Sequence, residues 1–262
     1  MPTIQHPACG DLTYSTSGEG STALLLLHGW AGSAAYFKTL VGHLDPELVY
    51  CVCLDLPGHG SFGEPVGDYT LDSIADVTFA VADAAGADTF VLLGYSMSAK
   101  FAQYVANRQH DRVLGQILVS GAPAGPLPLP AELVDDWCDR AGAADRLIDV
   151  VLSCATRPID ELLLKEVGHD AARVLPDVLR GTVQLCIESD FLDAVTNSRL
   201  PTLVVGGTED WMFPPEVLRE AVAAPFERAR LELINCGHEI PLEAPSELAD
   251  LISSFVRQLD GS

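Results

Sequence analysis

The sequence predicts an α/β fold: a doubly wound, mostly parallel sheet with a helical cap inserted after the sixth strand. Three observations predict it. Short apolar runs alternate with amphipathic stretches, the pattern of a parallel sheet covered on both faces. The alternation then breaks at residues 122–130, which hold four prolines, and a mostly helical stretch runs to about Ser198. Strand signals resume at Thr202. The expected organisation is therefore a core of residues 1–121 and 199–262, with residues 122–198 as the cap.

The elements follow in order. Leu12 to Ser17 has the pattern of an antiparallel edge hairpin, and Ala23 to Leu27 that of a strand buried on both faces. Ser33 is placed to cap a helix whose Phe37, Leu40, Val41 and Leu44 recur every three or four residues. Val49 to Leu54 is the next strand. Thr70 caps a second helix with Ile74, Val77 and Val81 on its inner side and Gly86 at its end. Thr89 to Leu93 leads as a strand into Gly94-Tyr95-Ser96-Met97-Ser98, and Phe101, Tyr104 and Val105 give the next helix a core face. Val113 to Val119 follows. After the cap come strands at Thr202 to Val205 and Leu231 to Ile234, then a helix presenting Leu248, Leu251, Ile252, Phe255 and Leu259.

Composition narrows the function. The chain has 262 residues, 48% of them hydrophobic and 20% charged, and no run approaches the roughly 18 apolar residues of a membrane span. Leu24 to Leu27 is too short for a secretory core and has no basic residues before it, so a cytoplasmic protein is expected. Seven cysteines, an odd number, indicate reduced thiols. Cys51 and Cys53 alternate in an apolar strand and read as buried small hydrophobes, since no spacing completes a metal site. A net charge of −22 argues against nucleic acid and anionic membranes as partners. A small-molecule substrate is expected, with no metal and no cofactor.

The pentapeptide around Ser96 carries the chemistry. A serine between a strand end and a helix start, with small residues two positions away on each side, reads as a nucleophile elbow. Acyl transfer also needs a base, an acid to orient it, and donors for an oxyanion. In a parallel sheet these belong in loops after the strand carboxyl ends. His238 lies just beyond the last strand, whereas His6, His28, His43, His59, His110 and His169 lie in other settings. Asp210 lies beyond the preceding strand, with Glu209 as its near rival. The N–H groups of Trp30 and Met97 are the expected oxyanion donors. Trp30, Tyr95, Met97 and Trp137 are the expected substrate-binding residues, while Leu163 reads as core packing.

Together these positions resemble the alpha/beta-hydrolase superfamily over nearly the whole chain. The resemblance rests on His28-Gly29-Trp30, Asp55-Leu56-Pro57-Gly58-His59-Gly60, the elbow, Gly207-Thr208-Glu209-Asp210, and Gly237-His238 followed by Pro241, Glu243 and Pro245. It implies a sheet of that type, a cap after the sixth strand, and a triad of Ser96, Asp210 and His238. Ser98-Ala99 stands where many members have Gly-Gly, which is expected to narrow the space beneath the nucleophile. A serine rather than an aspartate nucleophile points away from the dehalogenase and epoxide-hydrolase branches. The leading expectation is a hydrolase of small or medium apolar carboxylic esters or lactones. The alternatives are a lyase similar to the menaquinone-pathway enzyme that eliminates pyruvate, a carbon–carbon bond hydrolase, and a non-catalytic small-molecule binding protein. The lyase family has an arginine shortly after the elbow; the nearest cation here is Lys100.

Overall fold

A computed structural model describes residues 2–6, 10–60 and 69–260. Eight strands form one sheet: β1 (Thr3–His6), β2 (Gly10–Ser17), β3 (Thr22–Leu27), β4 (Val49–Leu54), β5 (Phe90–Tyr95), β6 (Val113–Val119), β7 (Thr202–Gly207) and β8 (Ala229–Ile234). Their order across the sheet is β1-β2-β4-β3-β5-β6-β7-β8. β1 and β2 form the antiparallel edge, β2 also pairing antiparallel to β4; every other pairing is parallel. Strand order reverses direction about β3, so the loops after β3 and β5 diverge and leave a crevice at their carboxyl ends. β3, β5 and β7 are buried along their whole length, which accounts for their unbroken apolar runs.

Helices cover both faces. α1 (Lys38–His43) is preceded by a tight helical turn at Ala34–Phe37, whose Ser33 cap accepts the Ala35 N–H. α2 (Leu71–Ala84) starts on a capping box in which Thr70 and Ser73 bond each other's backbone N–H. α3 (Met97–Arg108) follows the elbow and buries Phe101 and Val105, with Tyr104 half-buried. Between β6 and β7 lie α4 (Ala131–Cys138), α5 (Ala144–Cys154), α6 (Glu161–Arg173), α7 (Pro176–Glu188) and α8 (Leu192–Val195), with no strand among them. The short α9 (Pro215–Val217) continues into a wide turn at Leu218–Ala223; α10 (Ile240–Glu243) and α11 (Pro245–Asp260) complete the chain.

The sheet divides two core layers. Leu25, Leu27, Phe90, Leu92 and Phe101 belong to one, and Leu24, Leu26, Phe37, Ile252 and Phe255 to the other. Alternate residues of a strand point to opposite faces, which is why Leu24 to Leu27 divide between them. Leu163 packs in the second layer, in keeping with its reading as core packing. The helical segment has its own small core, in which Val134, Leu147, Val178 and Leu179 meet Ala31 of the loop after β3. The six cysteines among the described residues are all buried free thiols. Among the described residues, no helix is long and apolar enough to cross a membrane.

Lys100 has a use that its charge alone did not reveal. It is fully buried on α3, and its Nζ donates to the carbonyls of Gly125, Cys186 and Ser189 at 2.8, 2.7 and 2.6 Å. One ammonium thus fastens the core to both ends of the helical segment. Burial lowers its pKa from 10.5, but three carbonyl contacts use all three N–H bonds of the protonated form. The cation nearest the elbow is therefore committed to backbone.

Candidate active site

The turn after β5 places Ser96 at φ 54° and ψ −117°, outside the favoured regions for an L-residue. The turn requires glycine at 94: a Cβ there would lie 2.2 Å from the Ser98 carbonyl oxygen. The alanine at 99 is accommodated from the other side. Gly121 faces it, and a Cβ on Gly121 would come within 2.6 Å of the Ala99 methyl. Ser98 uses its hydroxyl to bond the His28 carbonyl, tying the elbow to the loop after β3.

The loops after β7 and β8 pack back to back. Gly207 permits this, since a Cβ there would lie 2.1 Å from the Gly237 oxygen. Asp210 and His238 are consequently brought together although 28 residues separate them, with His238 Nδ1 2.9 Å from Asp210 Oδ2. The second Asp210 oxygen, Oδ1, accepts from the N–H groups of Met212 and Phe213 at 2.9 and 3.0 Å. His238 Nε2 lies 2.9 Å from Ser96 Oγ. Because Nδ1 faces a carboxylate it carries the proton, leaving Nε2 to accept from the serine hydroxyl. Glu209, the rival acid, is exposed and its N–H merely bonds the Cys236 carbonyl.

Electrostatics fit this arrangement. Burial disfavours the His238 imidazolium, but the Asp210 carboxylate outweighs it and lifts the pKa above 6.5. Burial likewise opposes ionisation of Asp210, and the His238 contact with the two backbone N–H bonds holds it below 3.8. The position of His238 is held by backbone contacts. Its N–H bonds the Cys154 carbonyl at 2.9 Å, and Ser120 Oγ donates to its carbonyl at 2.8 Å. Glu243 accepts from the N–H groups of Gly237, Glu239, Thr156 and Arg157, joining the histidine loop to the end of α5.

On the opposite side of the serine, Gly29 presses close: a Cβ there would lie 3.2 Å from Ser96 Cβ. Next to it, the Trp30 N–H has no acceptor among the described residues, nor has the Met97 N–H at the start of α3. His28 shapes this loop. Its Nε2 accepts the Leu56 N–H at 3.0 Å and its Nδ1 donates to the Gly29 carbonyl at 2.8 Å; burial drops its pKa to about 4. His59, 5.1 Å away, is held neutral by burial and by its neighbour, at about 3. Both histidines are structural, and Asp55 beside them accepts from the Ala34 N–H at 2.7 Å.

A cavity of about 610 Å³, open solvent at its mouth included, lies over Ser96 and His238. Its walls are largely apolar, with Leu147, Val150, Val151 and Val167 from the helical segment. Trp30 and Trp137 line it with ring centroids 5.6 Å apart, and Trp30 Nε1 bonds the Leu179 carbonyl at 2.8 Å. Tyr95 lines it as expected. The side chain of Met97 does not: it is buried in the same core cluster as Phe101 and Phe213. Two polar lining residues escaped the sequence reading, Tyr36 and Glu239. Glu239 was findable as a charge amid apolar residues directly after the histidine; Tyr36 carried no signal, since its place in the cavity depends on the fold of a distant turn.

The chain matches the alpha/beta hydrolase family over residues 24–251. It belongs to that family. It is 27% identical over 258 residues to a pimeloyl-[acyl-carrier protein] methyl ester esterase of Yersinia pseudotuberculosis serotype IB (strain PB1/+), covering 94% of this chain and 98% of that one. The fold is similar to the enol-lactonase from Burkholderia xenovorans LB400, with a TM-score of 0.84 and 19% identity over 98% of this chain and 100% of the other. It is also similar to an esterase from Exiguobacterium antarcticum, with a TM-score of 0.83 and 20% identity over 97% of this chain and 98% of the other.

Proposed function

We propose that this alpha/beta hydrolase cleaves small or medium, largely apolar carboxylic esters or lactones through an acyl-enzyme on Ser96. The observation that carries the reading is the continuous hydrogen-bonded chain from Ser96 Oγ through His238 to Asp210, with both contacts at 2.9 Å. Ser96 Oγ attacks the carbonyl carbon as its proton passes to His238 Nε2. The Asp210 carboxylate stabilises the resulting imidazolium. The oxyanion receives the N–H groups of Trp30 and Met97, a contribution worth roughly 2.7–4 kcal/mol per donor in such sites. Collapse of the tetrahedral adduct expels the alcohol, which takes the proton from His238. Water then repeats the attack, giving up a proton to His238, and release of the acid restores Ser96. A lactone follows the same steps with its alcohol still tethered.

The substrate is read as a free small molecule. The curated relative named above acts on a methyl ester of an acyl-carrier protein. Here the chain carries a net charge of −22, and the arginines of the helical segment are already engaged. Arg140 pairs with Asp136, Arg157 with Glu247, Arg173 with Asp170 and Arg180 with Asp135, while Arg146 bonds the Asp139 carbonyl. An acidic carrier would meet repulsion rather than a basic landing surface. The lyase alternative lacks its cation, since neither lysine nor arginine is among the described residues lining the cavity and Lys100 is spent on carbonyls.

The test is hydrolysis of p-nitrophenyl acetate, butyrate and octanoate by the protein and by Ser96→Ala. Turnover reduced roughly 10⁶-fold in the variant is expected. Equal turnover by both proteins, or tight binding of these esters without turnover, refutes the reading; the second outcome favours a binding protein.

A further inference from the structure

We propose that Glu239, together with Tyr95 and Tyr36, forms a polar anchor in the cavity wall that selects esters or lactones bearing a hydroxyl group. The inference rests on the hydrolase reading above and names the substrate feature that the cavity recognises. Glu239 is 5% exposed, Tyr36 4% and Tyr95 2%, yet all three line the cavity beside Ser96 and His238. The Tyr95 hydroxyl donates to Glu239 Oε2 at 2.6 Å. Among the described residues, Oε1 of the same carboxyl and the hydroxyl of Tyr36 have no hydrogen-bond partner. The rings of Tyr36 and Tyr95 lie 5.7 Å apart, so one acceptor and one donor-acceptor face the same end of the space.

The triad does not explain this carboxyl. Both ring nitrogens of His238 are taken, Nδ1 by Asp210 and Nε2 by Ser96, so Glu239 is not the orienting acid. Nor is it needed to build the loop, because the contacts of Glu243 do that and fix the Glu239 N–H at 2.9 Å. Neither atom is sealed off from the space, and a polar atom left open to a cavity in an otherwise buried wall is available to a ligand group of matching chemistry.

A hydroxyl suits the site better than a cation. Burial raises the Glu239 carboxyl to about 7, with Glu243 and Asp210 adding to the effect and His238 and Tyr95 opposing it. A hydroxyl donates to the carboxylate and accepts from the carboxylic acid, and Tyr36 serves it in either role. An ammonium gains only from the ionised form. It would also sit among Val150, Val151 and Val167 and repel the imidazolium that forms on His238 during the reaction.

Two matched pairs test the anchor on the two arms of the substrate: p-nitrophenyl butyrate against p-nitrophenyl 3-hydroxybutyrate, and butyl butyrate against 4-hydroxybutyl butyrate. The expected result is a preference of about tenfold or more in kcat/KM for the hydroxylated member of at least one pair. That ratio falls toward unity in Glu239→Leu, is largely retained in Glu239→Gln, and drops several-fold in Tyr36→Phe, which serves should the leucine variant not fold. Turnover of the plain esters with ratios near unity in both pairs overturns the anchor while leaving the hydrolase reading intact. A larger preference for 4-aminobutyl butyrate assigns the site to a cation and overturns it also. No turnover of any ester removes the hydrolase reading and this inference with it.

Discussion

Replacing Lys100 with methionine removes the clasp between the core and the helical segment while keeping a side chain of similar length. Three carbonyls, those of Gly125, Cys186 and Ser189, lose a donor that is itself fully buried, the Ser189 contact being the one that is only partly buried. Each orphaned carbonyl costs about 1–3 kcal/mol, a gross loss of roughly 3–9 kcal/mol. Several kcal/mol return because no ammonium has to be desolvated. The net expectation is a loss of about 2–4 kcal/mol, a large share of the ~5–15 kcal/mol that holds a domain together. Urea unfolding followed by circular dichroism measures the change. Tryptophan fluorescence measures where it acts, because Trp30 and Trp137 face each other across the junction at 5.6 Å. The fluorescence transition is expected to shift at least as far as the dichroism transition. A loss below about 1 kcal/mol with an unchanged denaturant slope would refute the reasoning, since it would mean that water or the chain satisfies those carbonyls without the lysine.

Two further outcomes follow from the same geometry. Asp210→Asn keeps an oxygen for the Met212 and Phe213 N–H groups but presents an amide to His238 Nδ1; kcat is expected to fall about 10³–10⁴-fold with little change in Tm, whereas Glu209→Gln should leave kcat near normal. The reverse pattern would move the orienting role to Glu209. In the folded protein the Glu239 carboxyl binds its proton up to about pH 7 against an ordinary 4.5, so the folded state holds the proton more tightly and stability declines as pH rises through that interval. At 1.36 kcal/mol per pKa unit the decline is about 3 kcal/mol. Glu239→Gln should lose it, gaining on the parent by about that amount between pH 4.5 and 8 in urea unfolding. Parallel profiles would show that the carboxyl is ionised at little cost.

Much of the fold was legible because its strands are buried on both faces and write themselves as unbroken apolar runs. Leu24 to Leu27, Phe90 to Leu93 and Thr202 to Val205 are all strands, and Ser33 and Thr70 cap the helical segments they were expected to cap. Ser96, Asp210 and His238 were legible for a different reason. Each follows a strand at the edge where such a sheet gathers its loops, and glycines that only close backbone contact requires, Gly94 and Gly207, mark two of those loops. The Met97 side chain was misplaced because adjacency to Ser96 says nothing about which way a helix turns its first residue.

What the sequence by itself determined is the set of local commitments: alternation of period, caps, breakers, and the strained turn that lifts one serine above the sheet. These depend on residues a few positions apart, so they are readable along the chain. The tertiary structure alone decided which distant groups share a cavity, sending Lys100 to three carbonyls and bringing Tyr36 and Glu239 to one wall although they are far apart in sequence. The physical reason is that burial and partnership are properties of the space between elements. A charge acquires its meaning only when that space closes around it.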